Sequence, residues 1–480
     1  EDDMGVVTYM ATTPTPRRLN DGTGIPFVGV GISVSTNRVG EGEMFEITCT
    51  SDGILSIGIE FLITLNNEGF NVADFSGDTS LSIAIGENNV GTQISIVDDN
   101  LDEGDEVIKI QFDSLPEGFL PLNNNIEVRV VDNDFTIAAF GTPINPTYDI
   151  VEQSVPNSYY NSLNGKADDD LREALQELLS DSSSVRTQTY ADVIDILNEA
   201  DQNPLNSNEV WLVYSEEGRP KLDFQTSSDN TGKWNREHTY PRSRGDFGGR
   251  EGDDIADGID IFWETNADSL RHANSDAHAL RAADAVENSN RGNQHYGEYT
   301  GPAGNQGSFL GDVARSVLYM DVRYNDLAIV NGFPAEDGQL GDLATLLDWH
   351  RNDPPDDYEM NRNNVVYQWQ NNRNPFIDEP DLVEHLWGDK IGTAWVGILS
   401  NSNETVLSVE VFPNPATNKI MIKGIQGEVI LAIYSMDGKL IRSLATQTND
   451  WIPLNIPKGI YNLNVQSEGK QASIQLITNY

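Results

Sequence analysis

Hydrophobic and polar residues alternate in short runs through the first part of the chain. These runs are GISVSTNRV, MFEITCTS, IGIEFLITL, TSLSIAIG, TQISIVDD, EVIKIQFD and IEVRVVDND. Clusters of Gly, Asn and Asp separate them, at the spacing of roughly ten residues that is typical of β-sandwiches. The pattern predicts an antiparallel β-sandwich over residues 28–134, preceded by an N-terminal extension at 1–27.

In the next part of the chain, apolar residues recur every three or four positions, which is typical of amphipathic helices. The helical segments are DDDLREALQELLSD, YADVIDILNEAD, DVARSVLYMDVRYND and QLGDLATLLDWHR. They predict a mainly helical α+β domain over 156–398, after a linker at 135–155. Beyond a second linker at 399–408, short alternating runs predict a small β-sandwich over 409–480, with a hairpin turn at Asp437–Gly438. The fold class is thus multidomain.

Charge narrows the range of partners. The 480 residues include 76 acidic and 30 basic side chains, for a net charge of -46. Such a charge argues against a general affinity for nucleic acid or anionic membrane, but it allows a local basic site. The net charge is -20 over residues 1–150, -26 over 151–400 and 0 over 401–480.

Two further features concern the compartment. Cys49 is the single cysteine, which excludes an intramolecular disulfide. No run approaches the roughly 18 apolar residues of a membrane span. The chain starts at Glu1 rather than at a methionine, which is consistent with an export leader that has already been removed.

The densest chemistry lies in the segment KWNREHTYPRSRGDFGG. Residues 233–250 carry a net charge of +3 inside the strongly acidic middle segment. His238 suits a general base near neutral pH, and it directly follows Arg236 and Glu237. Carboxylate and amide oxygens suit Mg²⁺ or Ca²⁺ better than zinc. This combination indicates hydrolysis of a phosphodiester.

The motif W-N-R-E-H-x-x-P is followed by NSDAHALRAADAVENSNRGN. Together they resemble the endonuclease I family, secreted nonspecific nucleases of the ββα-metal (His-Me finger) superfamily. The resemblance covers roughly 156–390. It implies His238 as the general base, Glu237 and Asn288 as ligands of Mg²⁺ (or of Ca²⁺ or Mn²⁺), and products with 5′-phosphate ends.

The same resemblance adds supporting residues. Arg236 and Arg291 join the catalytic candidates, while Asp276 and His278 match an S-D-x-H element that braces the motif. The arginine that contacts phosphate stays open among four candidates: Arg242, Arg244, Arg250 and Arg271.

Other interpretations of these residues remain. Glu237 could serve as an ion-pair partner of Arg236, and Asn288 as a helix cap. A zinc-dependent phosphodiesterase could use three further histidines, namely His272, His278 and His295.

An acidic run between two predicted strands, DDNLDEGDE at 98–106, resembles the loops of Calx-beta domains. Glu41 and Glu43 before this run, and Asp132 and Asp134 after it, add to the resemblance of residues 28–134. The resemblance implies calcium at one end of the sandwich, bound by Asp98, Asp99 and Asp132. The alternative is a solvated acidic loop.

The tail begins with VFPNP and resembles the C-terminal sorting domain of the type IX secretion system. It implies export through the periplasm to the cell surface or the medium, with the secretion machinery as a partner. The alternative is a small carbohydrate- or protein-binding sandwich.

Together these features predict a secreted, metal-dependent endonuclease that hydrolyses DNA, RNA or both with little sequence specificity. The rival hypothesis is a calcium-dependent surface adhesin whose nuclease-like domain is inactive.

Overall fold

The computed structural model describes residues 27–67, 69–156, 158–247, 254–261, 263–397, 409–423, 427–435, 439–447, 450–467 and 470–479. These residues form two compact units. The first holds the described residues up to Ser154 and those of Ala167–Ala394, and the second holds those of Val155–Lys166 and from Trp395 onward. The predicted linker 399–408 and residues 1–26 of the predicted extension lie outside the described residues.

The N-terminal segment is a β-sandwich. The strands in the described part of residues 27–134 are β1 (Val28–Val34), β2 (Arg38–Gly40), β3 (Met44–Ser51), β4 (Ile59–Asn66), β5 (Phe75–Ser76), β6 (Ser80–Ile83), β7 (Asn89–Ile96), β8 (Glu106–Ser114), β9 (Phe119–Pro121) and β10 (Ile126–Val131). They form two five-stranded sheets, ordered β5-β7-β3-β1-β9 and β2-β10-β8-β4-β6.

Alternate residues of these strands fill one apolar core, as the period of two predicts. In β4, for example, Ile59, Phe61, Ile63 and Leu65 are all buried in it. The predicted sandwich is confirmed, and most of its pairs are antiparallel. The short strands β2 and β9 depart from this pattern, since each pairs in parallel with its neighbour.

The acidic end of the sandwich contacts the domain that follows it in the chain. Nη1 of Arg129 donates to Oδ1 of Asp223 at 2.8 Å, and Nζ of Lys233 reaches the same oxygen at 3.0 Å. Oγ of Ser207 donates to Oδ2 of Asp102 at 2.7 Å. These hydrogen bonds connect the sandwich to the part of the central domain that precedes residues 234–238.

The central domain combines helices with short strands. In chain order its elements are α1 (Asp168–Ser180), β11 (Arg186–Thr187), α2 (Asp192–Ala200), β12 (Gln202–Asn203), β13 (Asn206–Leu212), β14 (Glu217–Pro220), β15 (Trp234–His238), β16 (Trp263–Glu264), β17 (Leu280–Asp284), α3 (Ala285–Arg291), α4 (Leu310–Arg323), β18 (Ala328–Ile329), β19 (Gln339–Leu340), α5 (Leu343–Asn352), α6 (Asp357–Gln370), α7 (Pro375–Asp378) and α8 (Leu382–Leu386).

The four helices predicted from periodicity are confirmed as α1, α2, α4 and α5. In α1, Leu171, Leu175 and Leu179 recur every four residues and are fully buried. Asp168–Asp170 occupy the first turn, where the helix dipole favours negative charge. In the described part of the chain, no helix combines the length and the apolar composition that crossing a membrane requires.

One strand pair and one helix position the motif. Strand β15 pairs antiparallel with β17, with His238 opposite Leu280 and Trp234 opposite Asp284. Helix α3 follows β17 directly, because the side chain of Asp284 caps it by accepting hydrogen bonds from the second and third helical N–H groups. It ends at Gly292, whose φ of 56° favours glycine. The motif strand and the helix therefore lie side by side.

The tail is a second β-sandwich with its own apolar core. The strands among its described residues are β20 (Glu410–Phe412), β21 (Lys419–Lys423), β22 (Glu428–Ser435), β23 (Leu440–Gln447), β24 (Ile452–Pro453), β25 (Gly459–Ser467) and β26 (Lys470–Thr478). They form two sheets, ordered β20-β21-β24 and β23-β22-β25-β26. The predicted turn Asp437–Gly438 lies outside the described residues.

Candidate active site

A cavity of about 530 Å³ opens beside β15 and α3. The two elements bring together residues about fifty positions apart in the chain, since Asn235 and Asn288 are 53 positions apart and hydrogen-bonded. The sequence-predicted residues in its wall are Arg236, Glu237, His238, Asn288 and Arg291. The other residues in its wall are Tyr190, Phe224, Gln225, Asn235, Pro241, Arg242, Ser243 and Gly292.

The ring of His238 is held at one nitrogen. Nε2 lies 3.0 Å from the carbonyl oxygen of Asn274, which only accepts, so Nε2 carries the proton and Nδ1 keeps its lone pair. Tyr190 stacks on the imidazole, with ring centroids 5.7 Å apart. Burial, reinforced by nearby guanidinium groups, lowers the pKa of His238 to about 3. The imidazole is therefore neutral at pH 7, and Nδ1 is its proton acceptor.

The carboxylate of Glu237 is buried but has a counter-charge. The hydroxyl of Tyr214 donates to Oε1 at 2.7 Å, and Nε of Arg291 lies 3.5 Å from the same oxygen. Burial raises the pKa of Glu237, whereas the charge of Arg291 and the hydrogen bond from Tyr214 lower it. Within the described residues, Oε2 receives no hydrogen bond. It is the carboxylate oxygen left for a ligand.

The amide of Asn288 is tied by its nitrogen. Nδ2 donates to Oδ1 of Asn235 at 2.8 Å and, more weakly, to the carbonyl of Arg236 at 3.4 Å. Oδ1 has no hydrogen-bond partner among the described residues. Because Asp284 caps α3, the alternative role of Asn288 as the cap is not observed.

Arg236 does not pair with Glu237. Its guanidinium lies 3.5 Å from the ring centroid of Tyr190 and 5.4 Å from that of Phe224. Nη1 donates to the carbonyl of Tyr190. Arg236 thus joins the motif strand to two aromatic residues from earlier segments of the chain.

Arg291 lies behind Glu237. Its side chain is 1 % exposed, and its terminal nitrogens donate to backbone carbonyls, to Thr239 at 2.8 Å and to Gly292 at 3.1 Å. Nε faces Glu237 and makes no hydrogen bond with any described residue. This placement suits a counter-ion of the carboxylate.

The arginine candidates for phosphate now differ in geometry. Arg242 lines the cavity and is exposed, with one long hydrogen bond of 3.4 Å to Oδ1 of Asn274. Arg244 is bound to the carbonyls of Asn293 and Pro334. Arg271 donates to the ring of its neighbour His272 at 3.1 Å. The fourth candidate, Arg250, lies outside the described residues.

Asp276 and His278 are buried and do not line the cavity. Oδ2 of Asp276 accepts hydrogen bonds from the hydroxyls of Tyr319 and Tyr324, both at 3.0 Å. Nε2 of His278 lies 3.1 Å from the carbonyl of Asn372. Burial lowers the pKa of His278 to about 4. These contacts join the motif loop to α4 and to the chain after α6.

The alternative zinc site of three histidines is not formed. Nδ1 of His295 accepts from the backbone N–H of Gly341 at 2.9 Å. Among the described residues, the group of three His, Cys, Asp or Glu side chains that lies at metal-binding distances consists of Glu41, Asp132 and Asp134, and it includes no histidine.

That acidic group lies at one end of the sandwich and overlaps the predicted calcium ligands only at Asp132. Asp98 instead accepts a hydrogen bond from Asn133 at 3.2 Å. Asp99 lies near enough to act on Glu41 electrostatically. Burial and the charges of the neighbouring carboxylates raise the pKa of Glu41 to about 7.

Motif spacing gave no indication of two residues of the cavity wall, Tyr190 and Phe224, or of Tyr214, which is buried behind Glu237. Tyr190 and Phe224 stack on Arg236, and Tyr214 binds Glu237, yet all of them precede the motif in the chain. The sequence held one weak indication for Tyr214, its position at the end of the apolar run that forms β13. Tyr214 is fully buried, and a buried tyrosine hydroxyl needs a hydrogen-bond partner.

Comparison with known proteins places this site in a family. The sequence model of Endonuclease I matches residues 168–309 and 304–381. The extracellular ribonuclease of Bacillus subtilis (strain 168) is 34% identical over 257 residues, which are 48% of this chain and 78% of that protein. The extracellular ribonuclease of Bacillus amyloliquefaciens is 32% identical over 254 residues, 48% of this chain and 78% of that protein.

The model of the secretion system C-terminal sorting domain matches residues 410–479. The protein is thus a secreted or cell-surface nuclease with a type IX sorting tail. It belongs to the endonuclease I family.

Two solved structures show a partial similarity to this chain. The match with the crystal structure of the apo-form Calx CBD1 domain spans 22% of this chain and 99% of the CBD1 chain, with 21% identity and a TM-score of 0.19. The match with the crystal structure of CBD12 from CALX1.2 spans 23% of this chain and 47% of the CBD12 chain, with 19% identity and a TM-score of 0.20. The sandwich architecture itself rests on the strand pairing described above.

Proposed function

We propose that the protein is a metal-dependent endonuclease that hydrolyses phosphodiester bonds of DNA, RNA or both, with little sequence specificity. The observation that carries this proposal is the convergence, in one cavity, of a neutral imidazole with a free Nδ1 and two oxygens without hydrogen bonds. These atoms belong to His238, Glu237 and Asn288.

The donor set fits a hard divalent cation. Oε2 of Glu237 and Oδ1 of Asn288 are a carboxylate and an amide oxygen, the ligand types that Mg²⁺ takes together with water. We assign Mg²⁺, or Ca²⁺ or Mn²⁺ in its place, to these two side chains. When bound, the ion supplies positive charge that stabilises the phosphate and the departing oxygen.

His238 is the proposed general base. Nδ1 takes a proton from a water molecule, and the oxygen of that water forms the new bond to phosphorus. The bond from phosphorus to the 3′-oxygen breaks and that oxygen takes a proton from the solvent, which leaves a 5′-phosphate on one product and a 3′-hydroxyl on the other. The carbonyl of Asn274 keeps the proton of Nε2 in place throughout and orients the ring.

Arg242 is the proposed phosphate contact. It is the exposed guanidinium in the described cavity wall, and its single long hydrogen bond leaves most of its donors available. Arg236 and Arg291 act indirectly, Arg236 by packing Tyr190 against His238 and Arg291 by neutralising Glu237. A site that contacts phosphate in this way reads little of the base sequence.

The flanking modules have separate proposed roles. Residues 409–480 are read by the type IX secretion machinery, and residues 28–134 form a Calx-beta-like module. Its acidic group of Glu41, Asp132 and Asp134 binds Ca²⁺, with Asp98 and Asp99 beside it. We place the nuclease domain at 156–398, between the linkers 135–155 and 399–408.

A digest of double-stranded DNA, single-stranded DNA and RNA across Mg²⁺, Mn²⁺ and Ca²⁺ tests the proposal. We expect cleavage at many sequences, and fragments that DNA ligase rejoins because they carry 5′-phosphate ends. No cleavage of any substrate with any ion, together with calcium-dependent binding to surfaces, would instead support the adhesin hypothesis.

A further inference from the structure

We propose that Asn235 and Gln225 are positioning residues that fix the amide of Asn288 with its oxygen towards the cation site. This inference rests on the proposed role of Asn288 as a ligand. It gives a function to two residues of the cavity wall that lie outside the predicted ligand and catalytic sets.

Three side-chain amides form a continuous chain. Nε2 of Gln225 donates to the carbonyl of Ser227 at 2.9 Å, and its Oε1 accepts from Nδ2 of Asn235 at 2.8 Å. Oδ1 of Asn235 in turn accepts from Nδ2 of Asn288 at 2.8 Å. From donor to acceptor, the three hydrogen bonds run from the nitrogen of Asn288 to the carbonyl of Ser227, so the oxygen of Asn288 is left outside them.

Backbone carbonyls set that direction at both ends. A side-chain amide can rotate by half a turn and exchange its oxygen for its nitrogen, but a carbonyl only accepts. The carbonyl of Ser227 therefore selects the nitrogen of Gln225, and the carbonyl of Arg236 selects the nitrogen of Asn288 at 3.4 Å. Turning Asn288 over would place its oxygen against the oxygen of Asn235 and against this carbonyl.

The orientation decides whether Asn288 is a ligand. An amide oxygen binds a hard cation, whereas the NH₂ group has only donors to offer. Asn235 lies on β15, and the strand pairing that precedes α3 holds it beside Asn288. Gln225 is fixed in turn, because its backbone N–H donates to the carbonyl of Trp234 at 2.8 Å. This relay of the three amides of Gln225, Asn235 and Asn288 is thus held by the motif strand β15.

Removing an outer partner of a metal ligand commonly lowers metal affinity about 10- to 100-fold. In Asn235→Leu, the nitrogen of Asn288 loses its short acceptor, and the amide can turn over. We expect at least a tenfold weaker binding of the cation. Gln225→Leu removes the far end of the chain, and we expect a smaller loss in the same direction.

Isothermal titration of the full-length protein with Mn²⁺ tests the relay. The acidic end of the sandwich also takes cations, so Glu237→Gln defines the heat that does not come from the nuclease site. The variants are Asn235→Leu, Gln225→Leu and their combination. Asn290→Leu is the matched control, because Asn290 is exposed on the same helix and bonds Glu287 at 3.2 Å, away from the cavity.

We expect the double variant to bind Mn²⁺ no more weakly than Asn235→Leu alone, since the two residues act in series. Thermal midpoints should match that of Asn290→Leu. If Asn235→Leu binds Mn²⁺ as tightly as the wild type, the positioning role of Asn235 and Gln225 is refuted. If Asn235→Leu does not fold, wild-type Mn²⁺ affinity in Gln225→Leu refutes that role instead. A wild-type protein without Glu237-dependent binding would overturn the proposed metal site instead.

Discussion

Nε2 of His238 lies 3.0 Å from the carbonyl oxygen of Asn274, and this contact decides which ring nitrogen can act as a base. Asn274 is the first residue of the second motif half, so this half also orients the imidazole. The second motif half thus does more than supply Asn288.

Replacing Arg242 should impair substrate binding more than folding. Hydrogen bonds to charged groups contribute about 1.5–3 kcal/mol, so Arg242→Ala should lower kcat/KM roughly 10- to 100-fold. Arg242→Lys should recover part of that loss. Steady-state cleavage of a labelled oligonucleotide measures this. Arg244→Ala is the control, and an equal loss in kcat/KM there would remove the special role of Arg242.

Removing the counter-ion of Glu237 should destabilise the central domain. Both side chains are almost fully buried, at 1 % and 3 % exposure, and breaking such a pair costs about 3–5 kcal/mol. Arg291→Met should therefore unfold at a markedly lower urea concentration. Adding Glu237→Gln should restore part of the stability, because no unpaired charge then remains. A double variant less stable than Arg291→Met would contradict the pairing.

Calcium should stabilise the sandwich. Neighbouring carboxylates help to raise the pKa of Glu41 to about 7, so a cation would relieve repulsion there. We expect Ca²⁺ to raise the midpoint of the sandwich transition in calorimetry, and Glu41→Gln with Asp134→Asn to reduce that shift. Asp113→Asn, at the other end of β8, should keep the full shift. A calcium shift unaffected by the paired substitution would exclude this site.

Two carboxyls between α5 and α6, one buried and one partly buried, should make the free energy of unfolding fall as pH rises. Burial and the charge of Asp312 raise the pKa of Asp353 and of Asp356 to about 7, although Arg315 opposes the shift. The folded state therefore keeps protons that the unfolded chain releases above about pH 4. In this window each carboxyl should lower the unfolding free energy by roughly 1 kcal/mol per pH unit.

Urea unfolding at several pH values measures that slope. Asp353→Asn with Asp356→Asn should flatten it between pH 4 and about 7, since an amide does not titrate while its oxygen still accepts the N–H of Gly311 or Glu359. Equal slopes in the variant and the wild type would refute the assignment.

The sequence predicted the features that depend on neighbouring residues along the chain. Glu237 and His238 are adjacent on one strand, and periodicity alone gave the helices around them. Long-range packing was less accessible, because nothing in the spacing reveals that Tyr190 stacks on His238 or that Tyr214 binds Glu237. At the sandwich end, the acidic run at 98–106 was prominent, yet the fold gathers Glu41 and Asp134 around Asp132 instead, because strand pairing decides which loops meet.

The most direct test of the account is the rate of plasmid cleavage by purified wild-type protein and His238→Ala, each with Mg²⁺ and with EDTA. A positioned general base contributes about 10²–10⁴-fold, so we expect a loss of at least that order in His238→Ala and no cleavage in EDTA. Thermal unfolding should show that the variant remains folded. Full activity in folded His238→Ala, or undiminished cleavage in EDTA, would contradict the account.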